Sequence, residues 1–88
     1  MIKLKIIEKD EYANYVLENS KEKKYEVNIN FMGIEPKIGN TIFIEESLLK
    51  ENVSLNFGIV ESDKDIKEDE LIVLLDNDSK IYLQRFYG

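Results

Sequence analysis

Tyr25-Glu26-Val27-Asn28-Ile29-Asn30-Phe31 is the stretch of sequence that decides the fold. Its apolar and polar residues alternate strictly, which is typical of a β-strand with one face in a core and the other in water. The same alternation recurs at residues 2–6 and 55–59. The continuous apolar run at 71–75 has the length of a strand buried on both faces. We therefore predict a chain built mainly from short β-strands.

The C-terminal part of the chain is predicted to form a β-hairpin. Residues 76–79, Asp-Asn-Asp-Ser, have side chains that favour turns, and they separate the run 71–75 from a strand at 80–86. Upstream, residues 41–44 read as a further short strand, and residues 45–51 as one or two helical turns that begin with acidic residues. One brief helix is thus expected among the strands.

The segment at residues 12–19 fits two structures. Its apolar residues match one face of a helix capped by Asp10, and they also match a strand. Residues 20–23 resemble the polar tip of a hairpin that leads into the strand at 25–31. We favour the strand because of its β-propensity and this hairpin pattern.

These elements predict a single all-β domain over residues 1–88, mainly β with one short helix. Strands do not alternate with long helices, which excludes a doubly wound α/β fold. A small barrel of six or seven short strands removes the exposed sheet edges that a chain of this length would otherwise have. OB-like and SH3-like barrels both fit, and a helix between two groups of strands favours the OB-like arrangement.

Composition excludes several kinds of chemistry. The chain has neither histidine nor cysteine, so a Ser-His or Cys-His nucleophile cannot form and a zinc site is not expected. Neither of the common glycine-rich phosphate-binding motifs is present. We therefore expect no enzymatic activity and no cofactor.

Acidic residues are the only candidate metal ligands. Two groups can be considered: Asp63, Asp65, Glu68 and Glu70 in one, Asp76 and Asp78 in the other. Neither group matches the ligand spacing of an EF-hand. A solvated acidic loop and a hairpin turn explain them better, so we predict no metal site.

Charge and hydropathy bound the location and the partners. The net charge of −6 disfavours non-specific binding to nucleic acid, whose affinity comes mainly from neutralised phosphates. The N-terminal residues alternate Ile and Lys and lack the apolar core of a signal peptide. No apolar run approaches the roughly 20 residues that span a bilayer. We expect a cytoplasmic protein without a membrane partner.

The candidate binding residues lie on the C-terminal strand: Tyr82, Gln84, Arg85, Phe86 and Tyr87. Aromatic residues and arginine anchor protein interfaces because they bury much area while losing few rotamers. We predict a non-catalytic binding or adaptor module whose ligand is another protein. Self-association is also possible if the strand at 80–87 pairs edge to edge with its copy.

Two other interpretations of these residues remain open. Tyr82 and Phe86 can belong to the core, with Arg85 paired to a surface acid. Alternatively, the aromatics can stack on bases in an OB-like single-strand nucleic-acid binder. That alternative predicts a basic groove beside the aromatics, formed from Lys3, Lys5, Lys80 and Arg85.

A second candidate surface is the polar face of the strand at 25–31, which carries Glu26, Asn28 and Asn30. Asparagine is unfavourable in strands, and such local costs are sometimes tolerated at functional sites. We favour the simpler interpretation that these asparagines occupy solvent-facing positions.

Several phrases run through nearly the whole chain: Tyr15-Val16-Leu17-Glu18-Asn19, residues 25–31, Pro36-Lys37-Ile38-Gly39-Asn40-Thr41-Ile42-Phe43-Ile44, Leu48-Leu49, Phe57-Gly58 and Ile81-Tyr82-Leu83-Gln84-Arg85-Phe86-Tyr87-Gly88. Together they resemble a family of small, uncharacterised bacterial β-rich proteins, and the closing phrase is the most distinctive. The resemblance implies a small β protein. It implies no activity and no functional residues.

Overall fold

The computed structural model describes residues 1–87, which contain seven strands and two short helical turns. The strands are β1 (Ile2–Lys9), β2 (Asn14–Glu18), β3 (Lys24–Met32), β4 (Thr41–Ile44), β5 (Leu55–Val60), β6 (Leu71–Asp76) and β7 (Ser79–Arg85). A single α-helical turn, α1 (Glu46–Leu49), follows β4, and a 3-10 turn (Glu68–Glu70) precedes β6.

The strands close into a barrel in the order β1-β2-β3-β5-β7-β6-β4, and β4 pairs with β1 to complete it. Every neighbouring pair is antiparallel except β3 and β5, which run parallel. The predicted small, mainly β barrel with one short helix is confirmed. An OB-fold has five strands, and this barrel has two more.

The core fills the inside of the barrel with apolar side chains. Its buried members are Leu4, Ile6, Tyr15, Leu17, Val27, Ile29, Ile42, Ile44, Leu48, Leu55, Phe57, Ile72, Leu74 and Leu83. Alternate residues of each strand point inward, so the polar residues between them reach the outer surface. Leu48 of α1 joins the same core.

Strand β6 is buried on both faces, as the apolar run at 71–75 predicts. Ile72 and Leu74 belong to the core inside the barrel. Leu71 and Val73 alternate with them and therefore lie on the outer face, yet each is only 6% exposed. Val73 lies between Phe43 of β4 and Tyr82 of β7 in the cross-strand register, so large neighbouring side chains cover it on this face.

The segment at 12–19 forms strand β2, so the strand interpretation is confirmed and the helix is not formed. Asp10 does cap backbone N–H groups, but those of a turn. Its carboxylate accepts hydrogen bonds from the N–H of Tyr12 (2.8 Å) and of Asn14 (3.0 Å), and from the Asn14 side chain (2.9 Å). These bonds set the chain direction between β1 and β2.

The turn between β2 and β3 is built in the same way. The Asn19 side chain accepts hydrogen bonds from the N–H of Lys21 and of Lys23, both at 2.9 Å. In this turn Glu22 has a φ of +65°, and Ala13 has the same φ at the equivalent place after Asp10. Each turn therefore places one residue in the left-handed region three positions after its capping side chain.

Candidate functional site

Strand β7 lies between two other strands, and its residues from Tyr82 to Gln84 pair on both sides. Its residues from Tyr82 to Arg85 pair with β5, and those from Ser79 to Gln84 pair with β6. Edge-to-edge self-association through residues 80–87 was one of our predictions; this pairing leaves it no free edge at residues 82–84, and self-association itself stays a prediction. Hydrogen bonds to both neighbours occupy the backbone groups of residues 82–84, so this part of β7 can offer a partner only its side chains.

Side chains of β7 alternate as the sequence predicts. Leu83 is fully buried in the core and Ile81 packs against it, while Tyr82 and Gln84 lie on the outer face. Tyr82 is half-buried, and the Lys80 ammonium lies 5.7 Å from the centre of its ring. Gln84 is exposed, opposite Gly58 of β5.

Arg85 forms a bidentate ion pair with Glu51, in the loop after α1. Both guanidinium-to-carboxylate hydrogen bonds measure 2.9 Å, and the Arg85 side chain is 13% exposed. Hydrogen bonds to Glu51 raise the pKa of Arg85, so the guanidinium stays charged. The Tyr87 ring lies 4.8 Å from the guanidinium carbon on which it stacks. Arg85 therefore holds the loop and Tyr87 in place, and its charge is already compensated.

Phe86 continues the pairing of β7 and lies across Gly58. Its N–H donates to the Asn56 carbonyl at 2.9 Å. Its ring lies 3.8 Å, and the Met32 Cβ 3.9 Å, from the position that a Cβ of Gly58 would occupy. Phe86 and Met32 thus flank Gly58 on the outer face, and an aromatic ring over a strand glycine compensates for the missing side chain.

Four exposed apolar side chains, on β3, on β5 and just after β7, make up what we call the C-terminal surface. Its members, with their exposed fractions, are Met32 (57%), Ile59 (49%), Phe86 (41%) and Tyr87 (72%). Ile59 follows Gly58 and points to the other face of β5, where its Cδ1 is 3.2 Å from the position that a Cβ of Gly33 would take. The sequence predicted two of these four residues, and the structure adds Met32 and Ile59.

A second group of side chains, the lysine face, lies on the outer side of β1, β4, β6 and β7. Cross-strand register places Lys3, Phe43, Val73 and Tyr82 in one row, and Lys5, Thr41, Leu75 and Lys80 in the next. Three of the four basic residues predicted for a nucleic-acid groove therefore share one face with two aromatics. Arg85 is not among them, because it is bound to Glu51.

The polar residues on the outer face of β3 are paired with other amides. The Asn28 side chain donates to the Asn14 side chain and to the Tyr12 carbonyl, each at 2.9 Å. The Asn30 side chain donates to the Asn56 side chain at 3.1 Å. These bonds connect β3 to its neighbours and give the two asparagines a structural role on the surface.

Asp10 and Tyr15 also have a displaced pKa, and the displacement favours the form that each usually has at neutral pH. Hydrogen bonds from Asn14 and Tyr12 lower the pKa of Asp10, and burial, together with Glu35 and Asp10, raises that of Tyr15. Both groups are therefore held in their ordinary form at neutral pH. Within residues 1–87 no three acidic side chains come close enough to hold a metal ion.

Comparison of the chain with protein-family models, curated proteins and solved structures found no match. The resemblance to small bacterial β-rich proteins stays a prediction. In the part of the chain that the structure describes, no helix is long and apolar enough to cross a membrane. The functional argument therefore depends on the geometry of the surface.

Sequence reasoning missed the residues that complete the C-terminal surface. Glu51 lies 34 residues before Arg85, and Met32 is further still from Phe86. Met32 continues the series of alternate residues that begins with Glu26, Asn28 and Asn30 on the polar face of β3, so alternation does predict that it points outward. No local pattern predicts that β3, β5 and β7 become neighbours, which is what brings Met32 to Phe86.

Proposed function

We propose that the protein is a non-catalytic binding module for another protein and that the partner contacts the C-terminal surface. The observation that carries this proposal is that the exposed side chains of Met32 and Phe86 flank Gly58 on the outer face, with Ile59 and Tyr87 exposed next to them in the chain. Exposed apolar patches on small proteins often mark interaction sites. Methionine and aromatic residues are enriched in protein interfaces.

Charge indicates the chemistry of the partner. Glu51 and Glu70 both lie close enough to Arg85 to influence its pKa, and the whole chain has a net charge of −6. A partner with apolar anchors flanked by lysine or arginine would be attracted to this surface. A second copy would carry the same negative charge, so a different protein is favoured over self-association.

The test compares one variant of the surface with a matched control. Met32→Glu places a charge in the centre of the C-terminal surface, and Ile38→Glu makes the same kind of change in the loop between β3 and β4, where Ile38 is 61% exposed. Wild type and both variants are used as tagged baits. Each partner recovered is then purified and its affinity measured by calorimetry.

We expect Met32→Glu to weaken binding by about tenfold or more, which corresponds to loss of roughly 1.4 kcal/mol at an interface anchor. Ile38→Glu should bind as the wild type does. Equal binding by both variants would contradict the proposal, as would the absence of any partner protein.

The lysine face supports a second candidate function, binding of single-stranded nucleic acid. Its four strands span about 14 Å, at the usual spacing of about 4.8 Å between strands. Lys3 and Lys5 lie at one side of the Phe43–Tyr82 row, and Lys80 lies at the other. Bases can stack on the aromatics while the lysines contact phosphates.

Binding of a fluorescein-labelled oligothymidine, followed by anisotropy over a series of salt concentrations, tests this second function. Three phosphate contacts predict a slope of log K against log salt of about −2. Replacing Lys3, Lys5 and Lys80 together by glutamine should abolish the binding. The control replaces exposed lysines elsewhere, Lys21, Lys24 and Lys64. Equal losses in both variants would refute a specific lysine face.

A further inference from the structure

The barrel contains a gap along one edge of β3. Strand β2 pairs with β3 from Lys24 to Asn28 on one side. On the other side, β5 pairs with β3 only from Ile29 to Met32. Within residues 1–87, the first half of β3 therefore has one edge without a strand partner.

The direction of the backbone groups shows which of them face this gap. Successive residues of a strand direct their N–H and C=O groups to opposite neighbours. The Ile29 N–H donates to the Ala13 carbonyl at 3.0 Å, on the β2 side. Glu26 therefore directs its N–H and C=O to the gap, and Asn28 directs its N–H there. These three groups have no partner in either strand ladder of β3.

Open space lies beside these groups. A depression of ≈ 440 Å³ separates residues 26–28 from the loop at 51–54. Helix α1 approaches only the start of β3, where the Tyr25 hydroxyl donates to the Glu46 carboxylate at 3.4 Å. The helix thus leaves residues 26–28 accessible from the side of the loop.

The lining of the depression favours a basic ligand with an apolar element. Glu26 and Glu51 line it, and Val53 in the loop is 55% exposed. Glu26 brings the negative charge, because that of Glu51 is compensated by Arg85. The Glu51 carboxylate is held in place by Arg85. Since Tyr87 stacks on Arg85, the Glu51–Arg85 pair links the lining of the depression to Tyr87 of the C-terminal surface.

We propose that an extended, basic peptide segment of the partner protein adds as a strand to the free edge of β3 at residues 26–28. Main-chain hydrogen bonds to Glu26 and Asn28 would supply affinity, as in other cases of strand addition to an exposed edge. This inference rests on the proposed function, because it takes the ligand to be a protein. It names a second contact, beside the C-terminal surface, and the conformation of the bound segment.

One substitution removes the Glu26 N–H group, which faces the gap, without removing a hydrogen bond between strands of the barrel. Proline lacks the N–H group and is tolerated in strands where that group faces away from a partner strand. Glu26→Pro therefore deletes the donor that faces the gap, while Glu26→Gln deletes only the charge. Tyr25 is already in a strand, which suits the residue before a proline. Both variants should fold, and thermal unfolding checks this.

The probe is a phage-displayed library of random peptides selected on the immobilised wild-type protein. Selected peptides are synthesised and titrated against wild type, Glu26→Pro, Glu26→Gln and Met32→Glu. We expect basic peptides whose affinity falls at least about tenfold in Glu26→Pro, which is roughly 1.4 kcal/mol, and much less in Glu26→Gln. Failure to select any peptide that distinguishes wild type from Glu26→Pro would overturn the inference.

The Met32→Glu variant distinguishes a failure of this inference from a failure of the proposed function. Loss of binding in Met32→Glu but not in Glu26→Pro would overturn strand addition and leave the C-terminal surface standing. The reverse result would support the β3 edge and contradict the role of the C-terminal surface. Peptides that bind all four proteins equally would overturn both.

Amide hydrogen exchange measured on the wild-type protein gives an independent readout, which holds even if Glu26→Pro does not fold. In the free protein, the amides of Glu26 and Asn28 should exchange quickly, and those of Val27 and Ile29 slowly. A bound peptide should slow exchange at Glu26 and Asn28 by about tenfold or more, because both donors then enter a ladder. Unchanged exchange at these two amides in the bound state would overturn the proposal.

Discussion

Replacing glycine by alanine should raise stability at one position of this barrel and lower it at another. Gly58 lies within β5 and its φ is not positive. A Cβ there would meet the Phe86 ring at 3.8 Å and the Met32 Cβ at 3.9 Å, which are ordinary van der Waals distances. Alanine also restricts the unfolded chain, so Gly58→Ala should stabilise the protein by about 0.5–1 kcal/mol.

Alanine at Gly39 should lower the stability, and only the backbone conformation of Gly39 is the reason. Its φ is +98°, and no atom lies within 4 Å of the position that a Cβ would take. The cost of alanine at Gly39 is therefore the strain of a left-handed conformation, about 1–2 kcal/mol. Steric contact contributes nothing, so no neighbouring change should relieve the loss.

Thermal unfolding followed by circular dichroism distinguishes the two substitutions. For a domain of this size, 1 kcal/mol shifts Tm by roughly 4–8 °C. Gly58→Ala should thus raise Tm by about 2–8 °C and Gly39→Ala should lower it by about 4–16 °C. A lower Tm for Gly58→Ala would show that Phe86 cannot accommodate a methyl group, and a neutral Gly39→Ala would refute the argument from backbone strain.

Two further predictions concern polar contacts. Arg85→Lys keeps the charge but loses the bidentate geometry with Glu51, so urea unfolding should show a loss of about 1 kcal/mol; no loss would contradict a structural role for the pair. The pKa of Asp10 is lowered on folding, so its stabilising contribution is present above the unfolded pKa of about 4 and is lost as pH falls through the folded value. Asp10→Asn should therefore lose less stability on acidification than the wild type, and parallel pH profiles of the urea midpoint would contradict this.

Asp10 shows how far local sequence reasoning extends. Its carboxylate was considered as the cap of a helix, and it caps backbone N–H groups of a turn instead. The residues after Asp10 form a turn and not the start of a helix because the next segment is strand β2. Pairing with β1 and β3 stabilises β2. The propensity of residues 12–19 favoured the strand, and tertiary pairing completed it.

The candidate site was predictable only in part, for a related reason. The sequence left open whether Tyr82 belongs to the core; the structure buries Leu83 inside the barrel and has Tyr82 and Gln84 on the outer face. The sequence could not assign Arg85, since the choice between a free guanidinium and an ion pair depended on where Glu51 would lie. The prediction of free arginine beside the lysines was wrong because that pair forms.

The sequence by itself determined the class of fold and the inward face of its strands. A period of two in apolar residues marks a half-buried strand wherever it occurs, and the absence of histidine and cysteine excludes whole classes of chemistry without any structure. These properties are local or compositional, so they do not depend on which strands meet.

Only the tertiary structure decided the order of strands, and with it every feature that the proposals use. The parallel pairing of β3 with β5 brings Met32 to Phe86, and its start at Ile29 leaves the edge at Glu26 open. Both results depend on contacts between residues far apart in the chain. The free energy of burying many side chains together selects those contacts, and no single stretch of sequence contains that information.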